Sequence, residues 1–136
     1  MAWVHLSILL ITACVILCAD HLGYLYVRGR RELLEAHTIQ RLHYLVWAGL
    51  IGMIATGTYM AADRIQYLIQ QPVFVLKMGF VLMLVINAFF IRRLSLRASE
   101  VPFVHLSIRE KIILGASGVV SLAGWVGAAC IGYFFL

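Results

Sequence analysis

Residues 3–26 read WVHLSILLITACVILCADHLGYLY, an apolar run without Lys, Arg or Glu that only Asp20 and His21 interrupt near its end. About 20 such residues carry a helix across a hydrocarbon core about 30 Å thick. The same pattern recurs at Ile39–Ala62, Val73–Ile91 and Ile112–Leu136. These runs account for most of the 136 residues, of which 63% are hydrophobic and 12% charged. A soluble domain of this size carries more polar surface. The expected fold is therefore all-α: a single integral membrane domain, a four-helix antiparallel bundle in up-down-up-down order. Its helices are expected at about 3–27, 39–62, 72–92 and 108–135, with no room for a soluble domain.

The short connections support that order. Pro72 suits the first turn of the third helix, where a missing N–H costs nothing. Ser107-Ile108-Arg109-Glu110 has the form of a capping box opening the fourth. Gly29 stands where a helix-ending glycine belongs.

The net charge of +5 is concentrated beside the spans. Arg28, Arg30, Arg31 and Arg41 flank the first connection; Arg92, Arg93, Arg97, Arg109 and Lys111 flank the third. The second, Asp63–Gln71, has one acid and one base. The positive-inside rule puts the first and third connections in the cytoplasm and both termini on the outer side of a cell inner (plasma) membrane. The lipid bilayer is thus the expected partner. The basic residues hug membrane segments, so no nucleic-acid partner is expected.

Ile11-Thr12-Ala13-Cys14 matches a lipoprotein cleavage box. No basic residue precedes it, as a signal peptide requires, and the apolar run continues past it. It is read as part of the first span. Cys14, Cys18 and Cys130 all lie in apolar runs, where cysteine behaves as a small hydrophobe. No CxxC pair, nucleotide-binding loop or nucleophile triad is present. A self-contained hydrolase or kinase is not expected, and the sequence does not decide whether the chain is an enzyme.

Ionisable groups inside a span cost a few kcal/mol on insertion scales and usually face a partner or a cavity. At about 1.5 Å per residue, His21 lies about 10 Å inside the basic end of helix one, His43 about 6 Å inside helix two and Asn87 about 7 Å inside helix three. With Asp20 they are expected in one layer. Two neutral imidazoles on facing helices can ligate the iron of a heme b. On that reading His21 and His43 are the cofactor or metal ligands. Asp20 and Asn87 would orient the rings, and Arg41 and Arg28 would meet propionates. Trp47, one turn from His43, would pack on the porphyrin edge. The plainer reading has Asp20, His21 and His43 anchoring helix ends near the headgroups. A third has Asp20, His21 and Asn87 lining a proton or ion path, and a fourth makes the chain a scaffold or assembly subunit without chemistry.

His5 is 16 residues from His21, about 160° around the helix, so the two do not share a face. It is read as an outer interfacial residue. Lys77 is read as an anchor that snorkels outward, with Asp63 as an alternative partner. His105, in the apolar stretch Val101–Leu106, is read as interfacial.

Small residues repeat every four on the last helix, at Gly124, Ala128 and Gly132, and on the second, at Ala48, Gly52 and Thr56. Such ladders let backbones approach closely. They serve packing within the chain or, alternatively, a homo-oligomer or larger membrane complex.

Leu42-His43-Tyr44-Leu45-Val46-Trp47, followed by Thr56-Gly57, resembles small four-helix bacterial membrane proteins of the CopD-like copper-resistance and b-type cytochrome kind. The resemblance implies histidine ligation of heme or metal and electron transfer. The second pair of histidines that diheme members carry is missing here, so one heme is the expectation.

Overall fold

The computed structural model describes residues 1–30, 33 and 35–134. Arg31 of the basic flank and position 135, the expected end of the last helix, lie outside them. Helix α1 spans Ala2–Val27 and α2 spans Ala36–Ala61. A 3-10 turn at Ala62–Arg64 and the short helix α3, Ile65–Leu68, fill the second connection. Helix α4 spans Pro72–Ala98, a 3-10 turn covers Phe103–His105, and α5 spans Ile108–Phe134. The four long helices have the length and apolarity to cross a membrane.

Local chemistry explains the helix ends. Gly29 adopts φ +74°, which a side chain rarely allows. Its N–H donates to the Tyr26 carbonyl, and the Arg30 N–H donates to that of Leu25. Together these bonds satisfy the last carbonyls of α1 as a Schellman motif does. At the start of α5, the Glu110 N–H donates to Ser107 Oγ at 3.2 Å. The Glu110 carboxylate also accepts from Arg97 Nε at 3.4 Å, which joins the end of α4 to the start of α5.

The chain packs as α1 on α2, α2 on α4 and α4 on α5. Each pair runs antiparallel. His5 meets Thr56, and Thr12 meets Gly49. Phe80 lies on Gly127, and Leu84 and Met83 lie on Gly124. Trp47 and Phe89 meet edge to face, with centroids 5.0 Å apart.

Small residues set the close approaches. A Cβ at Gly49 would collide with Thr12, whose hydroxyl is folded back onto the Ile8 carbonyl at 2.7 Å. Gly124 is buried against Leu84, and Lys77 Nζ lies over Gly132. Thus Gly124 and Gly132 face α4, the packing within the chain that their ladder was read to serve.

The basic end has its own small core. Tyr26 is fully buried with Ile39 and Leu106, and Leu22, Val101, Phe103 and Leu114 pack around them. The Tyr26 hydroxyl donates to the Val101 carbonyl at 2.6 Å, and the Phe103 ring stands edge-on at 5.7 Å. Hence the apolar stretch 101–106 folds back onto α1 and α2. Much of the remaining apolar surface faces outward, with Leu10, Leu82 and Val119 each about 60–70% exposed. Such a surface suits lipid rather than water.

Candidate polar site within the spans

The histidines at the basic end do not meet. His21 is exposed, and among the described residues it makes no hydrogen bond with His43, Asp20 or Asn87. Helical phase explains this. Thr12 and Ile16 are the buried positions of mid-α1. His21 is nine residues beyond Thr12, about 180° around the helix from it. In α2, Gly49, Gly52 and Thr56 face α1. His43 lies about 120–180° away from them. It lines a cavity between α2 and α4, with Arg92 and Leu96 on the opposite wall. The expected ligand pair therefore points in divergent directions.

The expected supporting residues are elsewhere as well. Asn87 Nδ2 donates to the Ser117 carbonyl at 3.1 Å, and Ser117 Oγ donates back to Asn87 Oδ1 at 2.7 Å. This reciprocal pair joins α4 to α5 rather than supporting a ring on α1 or α2. Asp20 is half-buried and has no hydrogen-bond partner among the described residues; Arg41 is exposed. Trp47 packs on Phe89 of α4. No group of three or more His, Cys, Asp or Glu side chains among the described residues forms a metal site. Two histidines for a heme are a smaller set than that.

A different polar group is assembled at the opposite end of the helices. His5 Nδ1 and Thr56 Oγ1 are 2.6 Å apart across the α1–α2 interface. The Thr56 hydroxyl donates to the Gly52 carbonyl at 2.7 Å. Its oxygen is then the acceptor, so the proton of the contact belongs to His5 Nδ1. That assignment leaves the neutral ring with a lone pair on Nε2. Gly57 lies beside Cε1 of the same ring, where even a Cβ would stand 3.5 Å away. Lys77 of α4 is half-buried, within electrostatic reach of His5, and its Nζ rests over Gly132 of α5. Among the described residues no carboxylate lies within ion-pair distance of Lys77; the ion pair with Asp63 is not formed.

The layer thus draws His5 from α1, Thr56 from α2, Lys77 from α4 and the Gly132 backbone from α5. Chemically it offers one imidazole lone pair and one ammonium, without acid. The expectation of an interfacial His5 missed this. The signal was available: His5 is seven residues before Thr12, nearly two full turns, so both share the face that packs on α2. Thr56, the polar member of the small-residue ladder, completes the match.

No family model matches this chain, and neither a curated protein nor a solved structure does.

Proposed function

We propose that the chain is a small multi-pass protein of the inner (plasma) membrane that holds one heme b with His5 as ligand, and serves as a redox protein or redox subunit. The observation that carries this is the His5–Thr56 hydrogen bond. A ligating histidine ordinarily gives its other ring N–H to a fixed acceptor, which sets tautomer and orientation. Thr56 Oγ1 is such an acceptor, 2.6 Å away. The donor set fits: a neutral nitrogen for iron, an ammonium for a propionate, and a glycine rather than a side chain next to the ring. The heme would supply one-electron chemistry. His5 would hold and orient it, Thr56 would keep Nδ1 protonated, and Lys77 would hold negative charge at the edge. The resemblance of Leu42–Trp47 and Thr56-Gly57 to b-type cytochromes supports a heme, though the histidine within that motif is His43 rather than His5. For the fold we propose an up-down-up-down bundle with both termini outside, supported by the antiparallel contacts and the arginines flanking the first and third connections.

The test is the absorption spectrum of protein prepared with ample heme. A Soret band that shifts on dithionite reduction is expected in the wild type, His21→Ala and His43→Ala proteins, and is absent in His5→Ala. Loss in His21→Ala and His43→Ala alone would restore the pair at the basic end. A colourless wild-type protein would end the heme reading.

A second reading is a proton or ion passage. Here the supporting observation is that His5 and Lys77 are half-buried without a carboxylate partner among the described residues. Intramembrane ionisable groups often mark such paths. Flux into liposomes, lost in Lys77→Met, is its expected outcome.

A further inference from the structure

The basic end of α2 and α4 holds a second polar recess that the heme reading does not use. It is a cavity of about 50 Å³ lined by Gln40, His43, Tyr44 and Trp47 of α2 and by Arg92 and Leu96 of α4. Among the described residues no Asp or Glu lines it. Trp47, one turn along α2 from His43, also meets Phe89 of α4 edge to face. Its other side is open to lipid, where Tyr44 is 72% exposed.

Position identifies the kind of ligand. Arg92 is about 30 Å along α4 from Pro72, which is the thickness of the hydrocarbon core. With Pro72 at the far edge of that core, Arg92 stands at the near edge, where a long side chain extends outward to the phosphates of one leaflet. Arginine suits a phosphate because its planar fork donates two parallel hydrogen bonds. His43 and Gln40 add donors from the facing helix. A recess of about 50 Å³ has room for a phosphate group but not for acyl chains, which would stay outside along Tyr44 and Leu96. Basic pockets between spans on the arginine-rich side are suited to anionic lipid headgroups.

We propose that the Gln40–His43–Arg92 cavity is a binding site for the phosphate of an anionic phospholipid. The proposal stands on its own residues and does not depend on a heme at His5.

Trp47 reports on the site directly. In full-length protein carrying Trp3→Phe and Trp125→Phe, it is the sole tryptophan. Brominated phosphatidylglycerol and brominated phosphatidylcholine are compared as quenchers in vesicles. The anionic lipid is expected to be favoured by about fivefold, the scale one basic residue contributes near a membrane surface. Arg92→Gln should abolish most of that preference and Arg92→Lys should weaken it, since an ammonium lacks the fork, while Arg93→Gln, whose side chain lies outside the cavity, should retain it. Inorganic phosphate should fail to displace the lipid. Equal quenching by the two lipids would overturn the proposal, as would a preference unchanged in Arg92→Gln. Displacement by inorganic phosphate would overturn the lipid as its source.

Discussion

The two ends of α1 each carry a histidine, and the protein treats them oppositely. His5 is half-buried and hydrogen-bonded to Thr56 on α2; His21 is exposed and has no hydrogen-bond partner among the described residues. Both are imidazoles in one apolar helix, three residues from its start and six from its end. What separates them is phase. His5 shares a face with Thr12, which packs on Gly49, whereas His21 lies about 180° from it. Depth alone puts a residue in a layer of the membrane. Face decides whether it meets another helix or lipid.

The largest expected effect in this comparison is on the shared face itself. A leucine at Gly49 collides with Thr12. Gly49→Leu is expected to cost more than the about 1–3 kcal/mol usual for overpacking, because helix backbones rather than a flexible side chain must part. Gly23→Leu, with nothing among the described residues within 4 Å of its Cβ, is expected to be tolerated. Thermal unfolding of both variants in detergent checks the pair. Equal losses would mean that the α1–α2 contact is not where the structure puts it.

The next effect sharpens the histidine contrast. His5→Ala leaves the Thr56 oxygen without its donor and should lower stability by about 0.6 kcal/mol, the average for hydrogen bonds between membrane helices, and by no more than about 1.7 kcal/mol, their maximum. His21→Ala should be close to neutral. Denaturant or thermal titration in the absence of added heme separates this structural loss from any loss of ligand. A larger effect at His21 would reverse the comparison.

A similar magnitude is expected at the basic end. Tyr26→Phe removes the bond to the Val101 carbonyl in a fully buried setting. A cost of about 1–3 kcal/mol follows if that carbonyl stays dry, and less if water reaches it. Hydrogen exchange across 99–107 should speed up with it. An effect of similar size is expected at the α5 start, where Ser107→Ala removes the acceptor for the Glu110 N–H. About 1 kcal/mol is typical for such a cap.

These regions also differ in how far the sequence could be read. The four long helices were legible because each apolar run has spanning length. Their ends were legible because Gly29, Pro72 and Ser107 have one dominant use at a helix terminus. The facing of His21 and His43, away from the α1–α2 contact, was not. Both runs are apolar nearly all round, so no polar stripe marks the outward face. The inward face emerges only from small and polar residues acting together: Thr12 against Gly49, Ile8 against Gly52, His5 against Thr56. The 160° separation of His5 and His21 already excluded a shared face. It could not say which of the two faced inward until Thr12 and Ile16 were known to be buried.

The central claim, that His5 rather than His21 faces α2, can be measured by disulfide trapping. In full-length protein with Cys14, Cys18 and Cys130 replaced by alanine, the cysteine pair is placed at His5→Cys and Thr56→Cys, or at His21→Cys and His43→Cys. With a protease site in the first connection, oxidation is expected to hold the two fragments together for the first pair and to leave them separate for the second. Trapping of the second pair alone would contradict the account.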